Sequence, residues 1–352
     1  MSSIWNNRIS ISIFGESQAP AIGITIDNLP AGEYINSEEL TAFMKRRNSR
    51  IMGDGYIHQN IVPHIMSGVI NERTTGMPLC AFLQNNPKPS AASAETNQIP
   101  LRKGHADYTG AARYKGFCDV RDSVSFSDRL TLPICFAGAV CAQILQRRGI
   151  YVGAHILSIH NTKDNPFDPV NVGRDAVLSV RKKDFPVIND RRGWAMTENI
   201  RMAAEAGEAL GGIIECVAVN VPAGIGSPVF DGLENNIAQL VFGIPGVSGL
   251  EFGAGFSAAR MTASQNNDDY YENEHGYILT KTNNHGGVLG GISSGMPVTL
   301  KVAVKPPLSV NTSSGEPLKS SEACSVPELV PCVEAAVNIA LLSNMLDYPD
   351  FC

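Results

Sequence analysis

Four stretches of this chain set reactive or ligand-holding side chains close together. The first, GESQAPAIGITID (15–27), presents Glu16, Ser17 and Gln18 on a glycine-bounded turn between two apolar runs. Such polar tips are common places for sites, because the flanking strands hold them still. The amide of Gln18 can hold a hydrogen bond but cannot deliver a proton at neutral pH. The second, RKGHADYTG (102–110), sets Arg102 and Lys103 beside Gly104 and His105. Like charge disfavours a protonated imidazole there unless an anion sits between the groups. With a phosphate or carboxylate bound, His105 can donate a proton; otherwise it reads as a turn histidine bonded to backbone. The third, TKTNNHGGVLGGISSGMP (280–297), carries five glycines, so a ligand can approach its backbone closely. It suits a phosphate or a flat ring. It lacks both the GK[ST] close of a Walker loop and the strand-to-helix setting of a dinucleotide fingerprint. The fourth, KSSEACSVPELVPCVEA (319–335), places Ser320, Ser321 and Glu322 before a proline-marked helix start, where a carboxylate ordinarily acts as a cap.

Alternating apolar runs read as strands: RISISIF, AIGITI, NIVPHIMSGVI, PLCAFLQ, GAHILSI, GIIECVAVNV and PVTLKVAVK. Helices are interleaved with them. Asn36 caps one, with Glu39 at its third position and Leu40, Phe43 and Met44 as its apolar face. Lys45, Arg46 and Arg47 fall at its C-terminal end, where cations suit the dipole. LPICFAGAVCAQILQRRG starts with Pro133 in its first turn, is apolar almost all round and stops at Gly149. Further helices are expected from a Thr197 cap to Gly211, from an Asp231 cap, and in PELVPCVEAAVNIALLSNML. Residues 85–100 and 161–171 read as loops. The pattern predicts an α+β protein with helices layered on mostly antiparallel sheets.

Composition narrows the function classes. With 43% hydrophobic and 18% charged residues, 352 residues suit a globular chain with a sizeable core. No apolar run is expected to span a bilayer. MSSIWNNRIS lacks the order of a secretion signal, which points to the cytoplasm. A net charge of −6 argues against a nucleic-acid binder. Cations nevertheless gather in the first 130 residues, where they can form a local anion site or simply a solvated face. The eight cysteines form no CxxC pair and read as free buried thiols, and the histidines show no metal-ligand spacing.

Taken together in this order, the motifs resemble those of the chorismate synthase family. FGESQAPAIGITIDNLPAG is similar to its opening signature, which normally reads GESHG. GHADYTG resembles its second stretch, and DRLTLPICFAGAVCAQIL its GRLTAP-type core. GVSGLEFGAGFSAARMTAS and TKTNNHGGVLGGISSGMP resemble the central segments, and CSVPELVPCVEA the last signature. The resemblance covers about residues 8–346. It implies an α+β sandwich of helices between mostly antiparallel β-sheets, one domain over 1–352, and a homotetramer. It also implies conversion of 5-enolpyruvylshikimate 3-phosphate to chorismate and phosphate. That reaction is an anti-1,4-elimination that needs reduced FMN, for which NADPH is one source of reduction. The substrate is a small anion; neither nucleic acid nor membrane is an expected partner.

Carried over residue by residue, His105 matches a family acid, while Arg102 and Arg129 match substrate-binding arginines. Arg46 and Arg47 match an Arg-Arg pair at the substrate, Arg50 compensates in part for an altered segment, and Ser17 is retained. Ser127 and Asp128 fall at one flavin contact, Pro245 and Gly246 at a second and Gly290 at a third. Lys305 and Ser309 bracket the stretch near the FMN phosphate, and Ser320 falls in the last signature. The departures lie in the pocket. Gln18 stands for a catalytic histidine, Ser320 for an arginine, and Glu322 for an aspartate near the flavin. YIHQN (56–60) replaces a basic segment, and Asp128 adds negative charge. These changes leave two other readings: a flavin-binding relative with a different substrate, or a catalytically impaired one.

Overall fold

Helices that are apolar on every side need cover on every side, and that demand sets the architecture. The structure, a computed structural model, describes residues 3–16, 19–47, 49–52, 55–58, 62–84, 104, 106–117, 130–307 and 323–348, with backbone alone for 49–52 and 55–58. The first third contains β1 (Ile4–Asn6), β2 (Ser10–Phe14), β3 (Ala21–Asp27), α1 (Ser37–Arg47), β4 (Ser49–Met52), β5 (Gly55–His58), β6 (His64–Ser67), β7 (Val69–Ile70), β8 (Arg73–Thr74), β9 (Leu79–Gln84) and α2 (Asp107–Tyr114). Next come α3 (Thr131–Arg147), β10 (Tyr151–Ile159), β11 (Thr162–Lys163), α4 (Arg174–Arg181), α5 (Asp190–Glu205), β12 (Gly212–Val219), α6 (Leu233–Val241) and β13 (Val247–Phe252). The last part contains α7 (Ala263–Asn266), β14 (Tyr270–Glu272), β15 (Ile278–Thr280), β16 (Val288–Leu289), β17 (Ile292–Ser293), β18 (Val298–Val304) and α8 (Val326–Met345).

Two five-stranded antiparallel sheets carry the fold, in the orders β1-β2-β3-β9-β6 and β11-β10-β12-β18-β13. Each buries one face by period-two alternation: Ile22, Ile24 and Ile26 in β3, and Val298, Leu300, Val302 and Val304 in β18. α3 packs on β3 of the first sheet, α8 packs on β10 and β12 of the second, α3 and α8 pack on each other, and α1 packs on both helices. One continuous core runs from Trp5 to Met345. This is the α+β class that the sequence pattern predicts, in the sandwich arrangement that the family resemblance implies.

α8 corrects one expectation. Its 20 residues are long and apolar enough to cross a bilayer, yet all of them are buried inside the protein. It is the central core helix, enclosed by protein rather than lipid. Its approach to α3 is backbone-close: a Cβ on Gly138 would stand 2.2 Å from the Cβ of Ala335.

Local signals behave unevenly. Asn36 caps α1 as expected, its Oδ1 accepting from the backbone N–H of Glu38 (2.8 Å) and Glu39 (3.1 Å). The Thr197 cap is wrong: α5 begins at Asp190 under Asn189, and the Thr197 hydroxyl donates to Gly193 O inside the helix (3.0 Å). Asp231 does not cap α6 either. Arg8, Asn7 and Asn236 hold its carboxylate, and Gly232 takes the cap position. The opening turn does join two paired strands, β2 and β3. Gly15 sits there at φ +98°, where a Cβ would meet Ala21 O at 2.5 Å. Of the eight cysteines, Cys80, Cys135, Cys141, Cys216, Cys324 and Cys332 are free thiols, and all but Cys80 are buried. No metal-ligand cluster occurs among the described residues.

Gly138→Ala is expected to lower stability by about 1–3 kcal/mol through overpacking. Ala335→Gly in the same chain should restore part of the loss. Urea denaturation of the unaltered chain and the two variants measures both effects.

Candidate active site

The site grows from the end of α1. Leu40, Phe43 and Met44 make its buried face, and Arg47, seven residues after Leu40, returns to that side. Arg47 is therefore carried into the core, at 4% exposure. Its Nε donates to Thr131 Oγ1 (2.7 Å) and its Nη1 to Glu328 Oε2 (2.9 Å). Thr131 opens α3 and Glu328 lies in the first turn of α8. One guanidinium thus ties the end of α1 to the starts of both central helices.

Arg46 forms a forked pair with Glu334, at 2.6 and 2.7 Å, and passes over the ring of Phe43. Glu334 is fully buried; it also accepts from Ala154 N–H (3.0 Å) and lies 3.6 Å from Arg181 Nε. Burial alone would pull the Arg46 pKa down, but the charge and hydrogen bonds of Glu334 more than offset that, so it ends raised. At Arg181 burial outweighs the same carboxylate, and the pKa ends lowered. Arg46, Arg181, Lys182 and Lys183 line a small cleft of about 60 Å³ beside Pro327 and Pro331 of α8.

Two strand ends complete this end of the molecule. Val247 of β13 pairs with Val304 of β18, which sets the residues flanking them side by side. Lys305 N–H donates to Gly246 O at 2.9 Å, and Pro245 directly precedes. Gly246 has φ +90°, and a Cβ there would stand 3.7 Å from Leu329 Cδ1, in the first turn of α8. Arg46 and Arg47 thus meet α8 at Glu334 and Glu328, beside a cleft at Pro327 and Pro331, while Gly246, which accepts from Lys305 N–H, approaches it at Leu329, about 200° round the helix from both prolines. Gly290 lies elsewhere, in the two-residue turn between β16 and β17. Its neighbour Gly291 packs on Ser227 and Gly232.

The resemblance sets Arg46 and Arg47 at the substrate. In the structure both guanidinium groups close on buried carboxylates, because α1 turns Arg47 inward and Glu334 needs a cation. Of the two, Arg46 also borders the cationic cleft. Ser17, Gln18, Arg102, His105, Ser127, Asp128, Arg129, Ser309, Ser320 and Glu322 lie outside the described residues, as does the side chain of Arg50.

Sequence reasoning missed Thr131, Arg181, Glu328 and Glu334. The signal for the carboxylates was present: two glutamates inside an otherwise apolar helix must find cations, and an arginine on the buried face of α1 must find an anion. Matching them needs the helices' relative placement.

The architecture and this cationic end define an α+β sandwich of the kind found in a solved structure described as a crystal structure of chorismate synthase. The two agree with a TM-score of 0.77 at 25% identity, over 97% of this chain and 93% of that one. A family model described as chorismate synthase matches residues 9–346. The chorismate synthase of Lancefieldella parvula is 36% identical over 99% of this chain and 97% of its own length. That of Thermococcus kodakarensis is 35% identical over 96% of each. The chain belongs to the chorismate synthase family.

Glu334→Gln leaves Arg46 and Arg181 sharing a buried neutral group. Removing one partner of a buried pair typically costs about 3–5 kcal/mol. Denaturant unfolding should show a loss of that order, whatever the state of the reaction chemistry.

Proposed function

We propose that this protein is a carbon–oxygen lyase that eliminates phosphate from 5-enolpyruvylshikimate 3-phosphate to give chorismate. The family match over nearly the whole chain supports this. The observation that carries it is the pair Lys305 and Gly246 on one side of the start of α8, with the Arg46 cleft on another. A lysine beside an open, positive-φ backbone position suits the phosphate and flat ring of FMN. Reduced FMN, when bound, supplies the transient electron density that eases departure of the substrate phosphate.

The chain's own residues then have distinct tasks. Pro245, Gly246 and Lys305, with Ser127, Asp128, Ser309 and Ser320 by resemblance, hold the flavin; Gly290, in the β16–β17 turn, is left out of this set. Arg102, Arg129 and Ser17 hold the anionic substrate, aided by Arg50 and the Arg46 cleft; Arg47 fixes the helix ends behind them. His105 donates a proton and Glu322 accepts one, while Gln18 keeps only hydrogen-bond geometry. We further propose a single domain over 1–352, a cytoplasmic location and a homotetramer. The unbroken core, the free thiols, and Phe14 and Ile4 exposed on the first sheet support these in turn.

One observation favours the second reading, a relative tuned to a less anionic substrate. The forks of Arg46 and Arg47 are already occupied by carboxylates. An anaerobic assay with photoreduced FMN separates the two. The lyase reading expects chorismate absorbance and free phosphate in equal amounts. Tight flavin binding with neither product would overturn it in favour of a different substrate. Gln18→His alone should raise the rate by less than about tenfold, well short of the ~10²–10⁴ that a general acid can supply. Ser320 and residues 56–60 remain altered in that variant.

A further inference from the structure

The outer face of the second sheet carries a row of charge across four strands. His155 of β10 is the register partner of Glu215 in β12, Glu215 of Lys301 in β18, and Lys301 of Glu251 in β13. Lys301 Nζ lies 3.4 Å from Glu251 Oε1. His155 is fully buried: its Nε2 is 2.8 Å from Glu215 Oε2, and its Nδ1 makes an ionic contact with Asp164 at 3.2 Å. Burial alone would pull this imidazole's pKa down, but the two carboxylates offset that and leave it raised, so the cation is favoured. Three carboxylates, Asp164, Glu215 and Glu251, stand against Lys301 and His155, so the cluster is negative whether or not the imidazole carries a proton.

Above this row lies a cavity of about 320 Å³. Glu215, Thr299 and Lys301 line its floor, and Phe167, Pro169 and Val170 form an apolar wall. The wall is pinned: Phe167 N–H donates to Glu215 Oε2 (2.7 Å), and Asn283 Nδ2 donates to Pro169 O (2.8 Å). Both bonds to Glu215 go to Oε2. Oε1 has no hydrogen-bond partner among the described residues and is not sealed in. The floor therefore offers a carboxylate oxygen and an ammonium one cross-strand spacing apart, about 5 Å, with the Thr299 hydroxyl two residues along β18, roughly 7 Å further. The volume suits one small molecule.

We propose that this cavity binds a free α-amino acid with an apolar side chain. Its ammonium meets Glu215 Oε1, its carboxylate meets Lys301 and Thr299, and its side chain lies on Phe167, Pro169 and Val170. The excess negative charge favours a ligand that brings an ammonium and disfavours a dicarboxylic amino acid. The site is separate from the Lys305–Gly246 end and does not depend on the reaction assigned there.

Calorimetric titration of the full chain tests this, with L-phenylalanine and L-leucine as probes. 2-Phenylethylamine lacks the carboxylate, 3-phenylpropanoate lacks the ammonium, and L-glutamate carries the wrong side chain. One amino acid should bind per chain, and each single-charge analogue and L-glutamate should bind roughly tenfold or more weakly, the worth of one charged hydrogen bond. Val170→Trp, which fills the cavity, and Lys301→Met should each weaken binding by a similar factor, with flavin affinity and melting temperature unchanged. Absence of binding by both amino acids at millimolar concentration overturns the proposal. So does equal binding of the amine analogue, or binding that neither variant weakens.

Discussion

A carboxylate in a dry core must be fully satisfied or it destabilises the fold, and Glu334 is completely buried. α8 brings it there because the helix is buried on every side, packed on α3, α6, α1 and the strands β10 and β12. Three elements are then fixed relative to one another. Arg46 comes from α1, Arg181 from α4 and the Ala154 N–H from β10. Six residues earlier in α8, Glu328 does the same with Arg47, which also holds Thr131 at the start of α3. Buried ion pairs of this kind specify geometry more than they add stability. Here the specified geometry is the end of the sandwich where the helices begin.

That end is well suited to anions. Arg46, Arg181, Lys182 and Lys183 line a cleft beside Pro327 and Pro331, and Lys305 adds positive charge at the end of β18. Membership of the chorismate synthase family agrees with such a place. The same pairs also show a cost in charge available to ligand, since an arginine closed on a core carboxylate has fewer N–H groups to offer.

The second sheet divides its two faces between tasks. One face, with Ile214, Cys216 and Leu300, joins the core against α8. The other carries Glu215 and Lys301 on alternate residues of the same strands, beneath the 166–170 wall. β18 connects the two places directly: Lys301 floors the outer cavity, and Lys305 follows the strand's last residue. Four residues of extended chain, about 13 Å, separate them.

Local pattern sufficed for much of the fold. Period-two alternation located β3, β9, β12 and β18, and the Asn36 cap located α1, since these depend on neighbours in sequence. The family motifs made the chain's class legible as well. Local pattern failed where distant residues compete for the same group. Asp231 would cap a helix in isolation, but Asn7 and Arg8, more than two hundred residues away, take its oxygens. α8 is long and apolar enough by composition to span a membrane, and only α3, α6, α1 and the second sheet packed around it make it a core. The Arg46–Glu334 and Arg47–Glu328 pairs span 288 and 281 residues. The sequence determined that each of these charges needs a partner, because desolvation is a property of the residue and its face. Which partner each one found was decided by tertiary packing, because no local interaction reaches across that separation.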